Sequence, residues 1–122
     1  KARSFIYTTA LPPAACAASL AALSIIENEP ELNKRLWENI RFVSRKAASA
    51  IIPIIIGDTG ETMRLSAQLF DRGLFVSGIR PPTVPQGEAR LRITVTADHS
   101  KEELECLVSS LRELTPAAAK LM

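Results

Sequence analysis

Apolar and polar positions follow two periods along this chain, and the changes of period mark its elements. Pro12 and Pro13 stand where a proline can open a helix, losing only an N–H that would be unpaired in the first turn, and an alanine-rich helix is predicted from Ala14 to Glu27. Asn28-Glu29-Pro30 breaks it. A second helix is predicted from about Glu31 to Ala48, with Leu32, Leu36, Ile40, Val43 and Ala47 recurring on one face at helical spacing as a core stripe. The run AIIPIIIGD, residues 50 to 58, is short and β-branched and ends in Gly-Asp, so it reads as a strand whose Pro53 marks its start or a sheet edge.

Asp58 or Thr59 caps a third helix through Asp71, closed by Gly73 and expected to bury Met63, Ala67 and Phe70 with Leu65 and Leu69 alongside. LFVSGI, residues 74 to 79, is the second predicted strand and RLRITVT, residues 90 to 96, the third. Ser100 and Glu103 have the spacing of a capping box for a last helix that buries Leu104, Leu107, Val108 and Leu111. Helices followed by a β-α-β-β-α unit predict an α+β fold, a small sheet covered on one face by helices.

Composition narrows the class. With 122 residues and 47% hydrophobic content the chain can bury a core of its own. Its fifteen Lys/Arg are interspersed with thirteen Asp/Glu for a net charge of +2, so no nucleic-acid footprint stands out. The apolar stretch from Leu11 to Ile26 contains two prolines and six alanines and is too weakly hydrophobic for a membrane span. Cys16 and Cys106 have no metal or disulfide spacing and read as small buried core residues of a reducing, cytoplasmic protein. The N-terminus has neither an initiator Met nor a signal peptide, so the chain is expected to be a piece of a longer protein.

The third strand and the connection before it carry the candidate chemistry. Alternation places Leu91, Ile93 and Val95 on one face and Arg90, Arg92, Thr94 and Thr96 on the other. The polar face is either a solvated sheet surface or an anion site, because a guanidinium can pair both oxygens of a carboxylate or phosphate at once. In GIRPPTVPQGEARLRITV, residues 78 to 95, three prolines precede Arg90 and Arg92. Prolines remove backbone donors and restrict φ, so this arm is expected not to collapse into a hairpin. Asp98 and His99, beside the last helix cap, read as structural or solvent-exposed, since no nucleophile lies near them in sequence.

FIYTTALPPA near the start, PIIIGD in the middle and GIRPPTVPQGEARLRITVTADHS, in that order, resemble the C-terminal part of the α-oxoamine synthase family of pyridoxal-phosphate enzymes, and together they cover most of the chain. IRPPTVP is similar to the branch that condenses L-alanine with a pimeloyl thioester, of CoA or acyl-carrier protein, with loss of CO2 in biotin synthesis. The resemblance implies residues 1–122 as a single C-terminal domain of a fold-type I enzyme, with a helical lead-in over 1–49, a three-stranded antiparallel α+β subdomain over 50–122, and the large cofactor-binding domain absent. It further implies a homodimer without nucleic-acid or membrane partners, and places the Schiff-base lysine and the other cofactor-holding residues upstream of Lys1.

Residue by residue, the resemblance matches Arg92 to an arginine that pairs with the amino-acid carboxylate, Thr83 to a substrate-contacting threonine, and Arg80 to an arginine near the substrate channel. Thr8 and Thr9 match a pair that reaches the cofactor phosphate of the other subunit. The stretch from Val43 to Ile51 is shorter than the family usually has there. The alternatives are another α-oxoamine synthase and, of a different class, a free-standing small α+β module that binds an anion on its arginine face.

Overall fold

The computed structural model describes residues 3–6 and 9–115 of the chain. In order these form α1 (Arg3–Ile6), α2 (Pro13–Asn28), α3 (Pro30–Val43), β1 (Ile51–Gly57), α4 (Thr59–Asp71), β2 (Ser77–Ile79), β3 (Ala89–Thr94) and α5 (Lys101–Leu114). The chain divides into two units, residues 1–33 and 34–122, with the boundary inside α3.

In the first unit α2 begins at Pro13 after Pro12, as the prolines require, and buries none of its residues. Leu20, Leu23, Ile25 and Ile26 are all exposed on it. The second unit holds the sheet, in the order β1-β3-β2 with both pairings antiparallel. Ile52 faces Ile93 and Ile54 faces Leu91 across β1 and β3, and all four are buried. Fully burying a side chain of this size contributes about 1.5–3 kcal/mol, so these two pairs anchor the centre of the core. Leu65 and Leu69 of α4, Ile40 and Val43 of α3, and Leu104, Leu107 and Leu111 of α5 close over them in one cluster. Helices therefore cover one face of a three-stranded antiparallel sheet, the expected fold class.

Both predicted caps form. Asp58 accepts the Glu61 N–H at 2.7 Å at the start of α4. Ser100 and Glu103 exchange backbone and side-chain hydrogen bonds at the start of α5. Helix α4 ends in a Schellman arrangement, with the Gly73 N–H on the Phe70 carbonyl and the Leu74 N–H on the Leu69 carbonyl.

Several expectations are corrected. The buried stripe of α4 is Thr62, Leu65 and Leu69, whereas Met63, Ala67 and Phe70 are exposed. Two apolar stripes run along this helix, and the one that joins the core cluster is that of Leu65 and Leu69. A Cβ built on Gly78 would stand 3.0 Å from Met63 Sδ and 3.4 Å from Ser66 Cβ, so α4 lies close against the strand there and a side chain at position 78 would have to displace Met63. Ser66 donates to the Val76 carbonyl at 2.6 Å. Residues 74–76, expected in the second strand, are thus held to the helix instead of continuing β2.

Helix α3 stops at Val43, and Ala47 lies outside it in a half-buried turn. The short link to β1 is ordered, with Ser44 buried and Ser49 Oγ donating to the Ile51 carbonyl at 3.0 Å. Cys16 and Cys106 are free and exposed. Cys106 falls off the buried stripe of α5, and α2 has no buried position to offer Cys16. Finally, β2 and β3 do pair as an antiparallel hairpin, because all three prolines fall in the connection at residues 80–88 and none interrupts the ladder. Among the described residues, no helix is long and apolar enough to cross a membrane.

Candidate functional site

The face of the sheet away from the helices is built by strand alternation. Pro53, Arg92 and Ser77 form one cross-strand row, and Ile55, Arg90 and Ile79 the next. Ile51 and Ile55 of β1 are 53% and 56% exposed on it. Two arginines of like charge thus stand in adjacent rows, about 6.6 Å apart by the rise of an extended chain.

The arginines differ in what holds them. Arg90 donates through Nε to the Glu88 carbonyl at 2.9 Å and through Nη2 to the Glu88 carboxylate at 2.6 Å. Its side chain is 23% exposed. Arg92 is exposed, and among the described residues its guanidinium has neither a hydrogen bond nor an ion pair. Arg92 is the open donor fork of this face.

Just past the row of Ser77 and Arg92 the pairing stops, since β2 begins at Ser77 whereas β3 runs on to Thr94. A cleft of about 470 Å³ opens between Gly73–Ser77 and Ile93–Thr96, lined also by Leu104 and Leu107 of α5 and bordered by Arg92. The chain beyond Thr94 is fixed by polar contacts. The Thr96 N–H donates to His99 Nδ1 at 3.0 Å, and Asn39 Nδ2 donates to the Thr96 and His99 carbonyls. Asp98 pairs with Arg35 at 3.1 Å. Asp98 and His99 therefore serve as structural contacts, as expected.

Two consecutive turns make the connection from β2 to β3. The Thr83 N–H donates to the Arg80 carbonyl at 3.1 Å across Pro81-Pro82, whose peptide bond is cis. The Glu88 N–H donates to the Pro85 carbonyl at 3.2 Å, with Gly87 at φ +78°, the type II geometry that favours glycine at its third position. That turn delivers Glu88 immediately before β3 and beside Arg90. Thr83 is exposed on the first turn. Arg80 turns to the helix side, Nη1 donating to Met63 Sδ at 3.1 Å, so the structure does not bring it onto the face of Arg92. Thr9 is exposed in the first unit, and Thr8 lies outside the described residues.

Of the sequence-predicted residues, then, Arg92 stands on the open face, Thr83 on the arm, and Arg80 on the opposite side. Sequence reasoning missed Glu88. The available signal was an opposite charge two positions before Arg90, which an extended chain places on the same side. Pyridoxal phosphate requires an amine for its aldehyde, and the described lysines, Lys34, Lys46 and Lys101, are exposed and lie on no strand of the sheet. Arg92 has the donor fork that suits a carboxylate, and none of the described lysines stands beside it on the sheet face.

The chain is 45% identical over 123 residues to the 8-amino-7-oxononanoate synthase of Lysinibacillus sphaericus, an alignment covering 93% of this chain and 32% of the relative. It spans about a third of the length of the curated relatives it matches. Among solved structures it is similar to SPT bearing a pyridoxal-phosphate internal aldimine, with a TM-score of 0.83 at 25% identity over 96% of this chain and 32% of that one. It is also similar to the 8-amino-7-oxononanoate synthase of Francisella tularensis, with a TM-score of 0.72 at 29% identity over 97% of this chain and 36% of that one. The resemblance to α-oxoamine synthases is borne out, and with residues 1–111 of 122 matched, the chain belongs to the aminotransferase class I and II family.

Proposed function

We propose that this chain is part of a pyridoxal-phosphate-dependent acyltransferase that condenses L-alanine with a pimeloyl thioester to 8-amino-7-oxononanoate in biotin biosynthesis, and that Arg92 binds the alanine carboxylate. In that reaction a bond forms between the alanine Cα and the thioester carbonyl carbon, the thiol leaves, and the carboxylate departs as CO2. The observation that carries the reading is the guanidinium of Arg92, without a partner among the described residues, on the open face of β3, in a chain 45% identical to a protein named for this product.

The cofactor, when bound, supplies the electron sink for the carbanion at Cα. What this chain contributes is orientation. A carboxylate pinned to one guanidinium through two parallel hydrogen bonds is fixed in plane as well as position, and anchoring it selects which bond at Cα is cleaved. Pro53, beside Arg92 in the same row, restricts the strand there and helps to preorganise the arginine. In this reading Thr83 contacts the substrate from the arm, and Arg80 stands at the channel's edge, a position it reaches by leaving Met63. Thr8 and Thr9 reach the cofactor phosphate of a second subunit in a cytoplasmic homodimer, and the lysine that holds the cofactor belongs to a part of the protein beyond these residues. The chain by itself is then inactive.

The test is a titration of the full-length protein with L-alanine, followed by the cofactor's visible absorbance. Arg92→Ala should weaken alanine binding by about ten- to a hundredfold, the span of one charge-assisted hydrogen bond of roughly 1.5–3 kcal/mol, with cofactor occupancy unchanged. Binding equal to wild type at full occupancy would show the arginine face to be structural.

A further inference from the structure

We propose that Glu88 is a specificity-determining residue, which withdraws Arg90 from the anion site and so restricts the open face to a single carboxylate. This rests on the reading of Arg92 above. Arg90 and Arg92 share a face two residues apart, and a second free guanidinium about 6.6 Å from the first would turn that face into a receptor for dianions. Glu88 prevents this in two ways at once. Its carbonyl and carboxylate occupy Nε and Nη2 of Arg90, at 2.9 and 2.6 Å, which uses one edge of the guanidinium fork. Its charge also cancels that of Arg90, leaving Arg92 as the only cation of the described sheet face without a partner.

The pair is preset by local structure. The Pro85–Glu88 turn, with Gly87 at positive φ, puts the carboxylate beside Arg90. The flanking Ile55 and Ile79 in the Arg90 row give its aliphatic stem apolar neighbours to lie on. Arg90 is the more buried partner, its side chain 23% exposed against 50% for Glu88, so the ion pair is less screened than one fully in solvent.

The discrimination concerns amino acids that differ by one carboxylate. L-aspartate is L-alanine with a carboxylate added at Cβ, and it presents the same group to Arg92. With the Nε–Nη2 edge of Arg90 engaged and its charge offset, the second carboxylate meets a neutralised pair and faces the charge of Glu88. Unlike charges steer partner choice more than they add affinity, so the effect of Glu88 falls on the acidic amino acid and leaves the neutral one alone.

The experiment measures dissociation constants of L-alanine and L-aspartate by calorimetry on the full-length protein, for wild type, Glu88→Ala, Glu88→Gln and the double variant Glu88→Ala with Arg90→Ala. The expected result is L-alanine binding within about twofold of wild type in both single variants, and L-aspartate binding about tenfold tighter, the order of one charge-assisted hydrogen bond to a partly exposed guanidinium. The gain should vanish in the double variant. Unchanged aspartate affinity in both well-folded single variants overturns the proposal, and so does a gain that survives removal of Arg90, since it would then come from loss of negative charge alone. Arg92→Ala, run alongside, separates the two readings. If it leaves alanine binding intact the carboxylate assignment fails, whereas a selectivity that ignores Glu88 while alanine still needs Arg92 sinks only the present inference.

Discussion

Gly78 and Met63 are in contact across the α4–β2 interface, and a Cβ added to the glycine would stand 3.0 Å from the methionine sulfur. This approach sets the depth at which α4 lies on the sheet. It also links α4 to the arm, because the same sulfur accepts from Arg80 Nη1 at 3.1 Å.

Replacing Gly78 with valine is therefore expected to destabilise the fold by about 1–3 kcal/mol, the usual cost of overpacking. Met63 must leave, and behind it Ser66 Cβ and Thr62 Cγ2 stand at 3.4 and 3.5 Å from the added atom. Gly78→Ala should cost less, since the end of a flexible side chain can yield where a helix cannot. Denaturant midpoints of the two variants check the order, and equal midpoints for valine and wild type would mean that α4 is not held at this distance.

At Arg92, lysine should restore charge without restoring the planar fork. Arg92→Lys is expected to bind L-alanine more tightly than Arg92→Ala and more weakly than wild type in the same spectral titration. Arg90→Ala should change alanine binding less than either, because Arg90 is already occupied by Glu88. Equal losses at positions 90 and 92 would contradict this division of labour.

The cap of α5 predicts an acid limb of stability. The Ser100 backbone N–H, donating to Glu103 Oε2 at 2.8 Å, is the main cause holding the Glu103 carboxyl below its ordinary value of 4.5, followed by the Ser100 side chain and, more weakly, the charge of His99. Because the folded value is the lower one, the contribution is fully present above pH 4.5 and is lost as pH falls through the folded value. Glu61, held low by its hydrogen bond to Arg64, acts with the same sign. Unfolding midpoints from pH 7 down to about pH 3 should fall in wild type and fall less in Glu103→Gln. Ser100→Ala should cost about 1 kcal/mol at neutral pH, as loss of an N-cap does.

The sequence by itself determined what short-range rules govern. Asp58 and Ser100 are legible as caps because each needs only a backbone N–H three residues on. The two faces of β3 are legible because alternation follows from the pleat alone. The prolines and Gly73 marked the ends of α2 and α4 for reasons internal to the backbone. Motif order added the family, which no periodicity contains, and the proposed role of Arg92.

Tertiary structure decided what depends on neighbours distant in sequence. Helix α4 carries two apolar stripes, and packing on the sheet and the other helices buried Thr62, Leu65 and Leu69 and left Met63 and Phe70 exposed. Strand β2 is short because Ser66, ten residues before Val76, takes its carbonyl. The strand order with β3 in the middle put Arg90 and Arg92 in the interior of a face, flanked on both sides. What separates the two arginines is packing geometry. One turn with a glycine at positive φ brings Glu88 against Arg90, and the strand then carries Arg92 one row further on, where among the described residues no carboxylate meets it.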